Sequence, residues 1–314
     1  MDLFLSTLNQ MAFLLLLMVI GYILTRFKLV PDNAHTVLSK LENNVFIPAL
    51  VMGTFMTQFT VARLNVAWQF LLGGFVVIGL TAPLASLLAR FCTKDDYLRK
   101  IYAYGLAFSN FGFMGNAVVQ ALFPHIFMEY LIFVLPFWML IYTWGVPVLL
   151  IPAGEGKRTL GQKLKPFLNP MLIGMLIGMV IGLIAPPTLG FFGTAVTTLG
   201  NCMSPVAMLL TGMTIAKIDL KAAFRNVPIY VVSLIRLVAI PLVAILIMKF
   251  LPLPNGLSVC IICALAMPLG LTPIVVPSGY GMDTSDASAM ALISHLLSIA
   301  TIPLIFLLFQ AVVV

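Results

Sequence analysis

Charge is what this chain has least of. Asp, Glu, Lys and Arg together make up 9% of its 314 residues, against 61% hydrophobic residues and a mean hydropathy of +1.12. Soluble domains carry roughly 25% charged residues, so water cannot solvate this surface and lipid must. Acidic groups are scarcer than basic ones, ten against seventeen, leaving a net charge of +7. That excess does not point to nucleic acid, because the basic residues fall in short loops between apolar runs, as membrane orientation demands. Cysteine is also sparse. Cys92, Cys202, Cys260 and Cys263 sit in or beside apolar runs. Cys260 and Cys263 form a C-x-x-C, but no His, Asp or Glu stands nearby to complete a ligand set, so packing is the simpler reading. There is no P-loop, and the glycines have no strand context for nucleotide binding, which excludes ATP-driven work by this chain alone. No catalytic constellation appears, so neither an enzyme, a cofactor nor a metal site is expected. The first ten residues hold no Lys or Arg, and no small-residue cleavage site follows Met11–Ile20, so the first apolar run is expected to be retained.

What is present is apolar length. A crossing needs about 20 largely apolar residues. Candidates run at about 6–25, 36–58, 65–90, 98–123, 128–151, 168–185, 191–216, 227–249, 257–281 and 287–312. The expected fold is an all-α integral membrane protein of ten transmembrane helices. Basic residues orient it. Arg26, Lys28, Lys40, Arg90, Lys94, Arg99, Lys100, Lys157, Arg158, Lys163, Lys165, Lys217, Lys221 and Arg225 fall on one side. The other side has Arg63 and Lys249, and Arg236 lies within a span. The positive-inside bias then places both termini outside a cell (inner or plasma) membrane.

A shift of 157 residues superimposes Asn44 on Asn201, Pro48 on Pro205 and Thr54 on Thr211. It brings Pro83 within one residue of Pro241, and Pro147 within one of Pro303. Ser109–Asn116 falls on Ala266–Pro273. This predicts a first five-helix repeat over 1–151, a cytoplasmic linker at 152–167 and a second, inverted repeat over 168–314. Inverted repeats with interrupted helices in matching places point to alternating-access transport.

Chemistry concentrates at the interruptions. Lipid tolerates broken helices only where protein or water pairs their backbone groups. In span 4, Gly112 and Gly115 permit unwinding, while Ser109, Asn110 and Asn116 offer donors and acceptors. In span 9, Pro268 and Pro273 each remove a donor, and Thr272 lies between them. Two such half-helices would aim positive ends at one spot and favour an anion there. Kinks tolerated in ordinary packing are the simpler alternative. Asn44 and Asn201 mark a similar, weaker pair of hinges. Gly174, Gly178 and Gly182 form a small-residue face that serves either internal packing or a dimer seam.

At these residues the sequence resembles the auxin efflux carrier family, which includes bacterial malate or malonate permeases. The matching stretches are Asn44-Val-Phe-Ile-Pro48, Ser109-Asn-Phe-Gly-Phe-Met-Gly115 and Pro205-Val-Ala-Met-Leu-Leu-Thr-Gly212. Arg236 five residues before Pro241, Ala264-Leu-Ala-Met-Pro268 through Tyr280-Gly281, and Leu296 through Pro303 also fit. The resemblance implies crossover helices 4 and 9, a scaffold from spans 1, 2, 6 and 7, and a transport domain from spans 3–5 and 8–10. It also implies a small organic anion as substrate, a homodimer and elevator-like movement. Asn116 stands where the family has Ile, and His295 where it has a small polar residue.

Two ionisable groups lie deep in spans. A charge at the bilayer centre costs at least ~2.5–3.5 kcal/mol, so Arg236 needs a partner. It either binds a substrate carboxylate or ties down the carbonyls of a broken helix. His295 is a packing residue or a proton carrier. Glu42 is expected near the cytoplasmic start of span 2, Glu129 at the outer start of span 5, and Asp283 and Asp286 at the outer junction of spans 9 and 10. The expected function is secondary transport or uniport of a small carboxylate such as malate or malonate. The rivals are a sodium-coupled symporter resembling bile acid sodium symporters and a membrane sensor that binds without transporting.

Overall fold

The computed structural model describes residues 2–151, 169–184, 190–217, 220–251 and 253–313, so the expected linker at 152–167 lies outside the described residues. Among the described residues every regular element is helical, and the sole extended pairing is a bridge between Ser109 and Leu269. In chain order the first helices are α1 (Asp2–Arg26), α2 (Ala34–Leu41), α3 (Ile47–Gln58), α4 (Val61–Cys92), α5 (Asp96–Ala107) and α6 (Asn116–Leu122). Next come α7 (Phe127–Phe133), α8 (Leu135–Leu140), α9 (Pro170–Ile184), α10 (Gly190–Asn201), α11 (Met203–Ile215) and α12 (Leu220–Arg225). The last are α13 (Val227–Leu234), α14 (Ile240–Phe250), α15 (Asn255–Leu265), α16 (Thr272–Gly279) and α17 (Ser285–Val312).

Among the described residues, five helical stretches are long and apolar enough to cross a bilayer: Leu3–Arg26, Val61–Cys92, Pro124–Leu150, Val227–Phe250 and Ser285–Val312. Their outward faces carry large apolar side chains such as Leu16, Leu72, Leu80 and Leu246, as a lipid-solvated protein requires. Helix starts follow ordinary capping. Asp95 Oδ1 accepts the Leu98 N–H at 2.8 Å to open α5, and Thr60 Oγ1 accepts the Arg63 N–H at 3.4 Å to open α4.

Proline sets the local irregularities. A π-helical turn, Glu42–Phe46, joins α2 to α3 just before Pro48, and another, Ile235–Ala239, joins α13 to α14 just before Pro241. A proline removes a donor and crowds the preceding turn, and one wider turn absorbs the mismatch without breaking the helix.

Two helix pairs anchor one part of the bundle: α9 lies along α3, and α1 lies along α11. Both seams need glycine. A Cβ on Gly178 would stand 2.5 Å from the Met52 carbonyl oxygen, and one on Gly21 would stand 2.1 Å from that of Leu209. Gly174 and Gly182 meet the carbonyls of Pro48 and Phe55 in the same way, so this small-residue face is used for packing within the chain. Gly21 and Gly178 differ by 157 in sequence, as do Met52 and Leu209. Hydroxyls repeat at the same interval. Thr54 and Thr211 donate to Leu50 and Ala207 at 2.8 Å, and Thr57 and Thr214 donate to Gly53 and Leu210 at 2.9 Å.

One expectation is corrected. Tyr97 Oη donates to the Asp283 carbonyl oxygen at 2.6 Å, and Asn226 Nδ2 donates to the Asp286 carboxylate. Asp283 and Asp286 therefore stand at the same end of the bundle as Tyr97 and Asn226 and the basic residues that flank them, the end expected from sequence to be cytoplasmic, and not at the opposite one. Glu129 lies at the other end, 3.4 Å from Arg63, whose Nη1 also donates to Gln58 Oε1 at 3.2 Å.

Candidate functional site

The site is made where α5 and α15 stop short. α5 ends at Ala107 and Phe108 turns extended (φ −117°, ψ 106°), after which a π-helical turn, Phe111–Gly115, leads into α6. α15 ends at Leu265, and the helix resumes at Thr272 as α16. The two exposed strands of backbone satisfy each other. The Asn110 N–H donates to the Pro268 carbonyl at 2.7 Å, and Ser109 Oγ donates to the Ala264 carbonyl at 2.7 Å. Leu269 N–H donates to Ser294 Oγ at 3.1 Å, and Tyr130 Oη donates to the Phe111 carbonyl at 3.1 Å.

Arg236 is fully buried beneath this crossing. Nη1 donates to the Leu106 carbonyl at 2.9 Å, Nη2 to that of Ala264 at 3.0 Å and Nε to that of Met267 at 3.4 Å. Leu106 and Ala264 belong to the last turns of α5 and α15. Each helix C-terminus carries roughly half a negative charge. One guanidinium set across two such ends is balanced without any carboxylate, and its planar fork reaches both. Of the two roles open to Arg236 from sequence, its contacts are those of the tie to backbone.

Asn116 faces the opposite way. It is 4% exposed, and its Oδ1 is buried with no hydrogen-bond partner. It lines a narrow cleft with about 10 Å³ of free volume, room for about one water-sized group, between α6, α7 and α8 on one side and α3 and α9 on the other. Val51, Leu131, Val134, Leu135, Trp138, Met171 and Met175 complete the wall. Its carboxamide oxygen is thus a buried hydrogen-bond acceptor left free in an apolar wall.

The remaining residues singled out from sequence divide. Ser109, Asn110 and Pro268 meet at the crossing, and Thr272 and Pro273 open α16 just beyond it. His295 joins them through Asn110, with its Nε2 3.1 Å from Asn110 Nδ2. Asn44 and Asn201 do not join: both are exposed, and Asn44 Nδ2 donates to the Lys40 carbonyl of its own helix at 2.7 Å. Cys260 and Cys263 are buried and unbonded to each other. Sequence reasoning missed Trp138, Tyr130 and Ser294. Trp138 packs edge-on against Phe111 with ring centroids 5.1 Å apart, and no local pattern distinguishes it from the other aromatics of its run. Glu42 was expected near a span end, yet it is fully buried, and neither carboxyl oxygen has a partner.

Lipid-facing helices joined by interrupted segments define a multi-pass membrane transporter. Comparison with known families agrees: the family described as membrane transport protein matches residues 6–162 and 157–306. The chain belongs to that family, the auxin efflux carrier-like transporters, whose members move solutes and are not enzymes. No curated protein matches it.

Proposed function

We propose that this chain carries a small organic anion by alternating access, the helices around the crossing moving against α1, α3, α9 and α11. The carrying observation is the unpaired Asn116 carboxamide in the cleft between these two groups of helices. Five further crossings complete ten: 34–58, the interrupted 96–122, Pro170–Ile184, 190–215 and the interrupted 255–279. The 157-residue equivalence of Gly21 with Gly178, and of their partners Leu209 and Met52, supports two inverted repeats that exchange helices.

Anion preference rests on the positive dipole ends of the half-helices that resume at Phe111 and Thr272, although at the second Pro273 has no N–H and the Ile274 N–H already donates to the Leu271 carbonyl at 3.0 Å. The cleft wall adds detail. One amide among Val, Leu, Met and Trp side chains is a lining that suits a single carboxylate on an apolar body better than malate or malonate, once the helices part to admit it. Uptake by proteoliposomes of radiolabelled hydroxyphenylacetate against malonate tests this, and the first should be favoured. Asn116→Leu should lower uptake at least tenfold while insertion and melting temperature hold. Undiminished uptake by a well-inserted Asn116→Leu variant would remove the cleft from the transport path.

A further inference from the structure

His295 on α17 is 2% exposed, and both of its ring nitrogens are engaged. Nδ1 lies 2.7 Å from the Ala291 carbonyl oxygen, which can only accept, so Nδ1 carries the proton of the neutral ring. Nε2 is then an acceptor, and it takes an N–H from Asn110 Nδ2 at 3.1 Å. One tautomer of the ring thus fixes one orientation of the amide. The placement gives this leverage. Asn110 holds Pro268 through its backbone N–H, and its carbonyl accepts the Gly115 N–H at 3.0 Å, spanning the π-helical turn that ends beside Asn116. Ser294, the neighbour of His295, holds Leu269. Two consecutive residues of α17 therefore grip the two breaks.

A proton on Nε2 reverses the contact. Imidazolium donates from both nitrogens, and Asn110 Nδ2 has no lone pair to offer. The amide turns about its soft terminal torsion to present Oδ1, or the contact parts. Either change reorients Asn110 at the start of the turn leading to the cleft.

The surroundings decide when that proton can stay. Arg236 is the buried cation at the crossing, Tyr130 is the tyrosine near it, and Tyr104 is buried on α5. The other ionisable residues on the helices packed around α17 stand toward their ends in sequence, Asp2, Tyr22, Arg26, Lys221, Arg225 and Lys249, or face α12, as Tyr230 does in donating to Phe224. On α5, Asp96, Tyr97, Arg99, Lys100 and Tyr102 precede Tyr104 toward the cytoplasmic end, and on α17 itself Asp286 lies nine residues before His295, about 13 Å along the axis. No carboxylate among the described residues of these elements stands level with His295. A second buried positive charge beside Arg236 requires an anion.

We propose that His295 takes up one proton as the organic anion binds, so that anion and proton cross together. This rests on the anion-transport reading above. The proton comes from solvent, resides on Nε2 and leaves with the anion, and no other bond forms or breaks.

The test uses the full chain in lipid nanodiscs with ¹⁵N-labelled histidine. His295 is told from His35 and His125 by the signal lost in His295→Gln. At pH 8 the ring should be neutral with its proton on Nδ1. Saturating hydroxyphenylacetate should raise its proton affinity at least tenfold, and Asn110→Leu should abolish that dependence. In proteoliposomes an acid-outside gradient should raise wild-type uptake severalfold, and in His295→Gln the ratio of uptake with and without the gradient should fall to one. A ring protonated on Nε2 at pH 8 overturns the proposal. So does an anion that binds and crosses while the His295 titration stays put. If neither hydroxyphenylacetate nor malonate binds or crosses, the transport reading beneath it falls instead.

Discussion

The crossing and the glycine seams solve the same problem, close approach of backbone inside a bilayer, by opposite means. At the crossing, polar groups are present and almost all are paired: Ser109, Asn110, Ser294 and Arg236 each answer a backbone group freed by a broken helix. Along the α3–α9 and α1–α11 seams the device is absence, because Gly178 and Gly21 leave room for a carbonyl where any Cβ would collide. The first arrangement can be rearranged by changing who donates to whom. The second cannot yield without separating the helices. A transporter needs both, a rigid part to push against and a part whose contacts can be exchanged.

Removing the guanidinium tests the first half of this comparison most severely. Arg236→Leu takes the guanidinium donors from the carbonyls of Leu106 and Met267 at once and leaves that of Ala264 with Ser109 Oγ alone. The expected loss is about 3–5 kcal/mol, seen as failed insertion or a large drop in melting temperature. Arg236→Lys should cost about half as much, since an ammonium is a point donor that cannot span both helix ends. Apparent affinity for anion in surviving Arg236→Lys protein should stay close to wild type. A tenfold loss of affinity with unchanged melting temperature would return Arg236 to the role of substrate ligand.

The seams invite a paired experiment. Gly21→Ala and Gly178→Ala each force a Cβ against a carbonyl oxygen, at 2.1 Å and 2.5 Å, and should each cost about 1–3 kcal/mol. Because the two positions are related by the 157-residue shift, their costs in a thermal or denaturant assay should match within about 1 kcal/mol. One variant unfolding while the other is unaffected would break the equivalence of the halves.

Much of this was legible in the sequence, and the limits have physical causes. Five of the ten expected spans match long apolar helices because lipid demands such runs, and the interruptions could be read because Gly112, Gly115, Pro268 and Pro273 are misfits within them. The partners of Arg236 could not be read, because they are carbonyl oxygens, which every residue has. The cleft wall was equally hidden: Val51, Trp138 and Met171 become neighbours only through packing of helices far apart in sequence. Asp283 and Asp286 were assigned to the end away from the basic loops, because no local pattern pairs them with Tyr97 and Asn226, and those contacts correct it.

The smallest expected effect lies at that corrected end and sharpens the contrast between buried and surface polar contacts. Asp283 accepts from the Ser285 hydroxyl at 2.6 Å and from its N–H at 2.9 Å, which holds the carboxyl below the usual carboxylate value. A depressed carboxylate adds stability that is present above its ordinary pKa and is lost as pH falls through the lowered one. The group is almost fully solvated, so water screens the gain. Asp283→Asn should therefore lower the melting temperature by at most about a degree at pH 7, and the difference should vanish toward pH 3. The Tyr97 hydroxyl bonds the Asp283 backbone, not its carboxylate, so the turn stays docked on α5 in the variant. A loss of several degrees at pH 7 would mean that the carboxylate itself clamps this turn, making this end of the bundle as polar-dependent as the crossing.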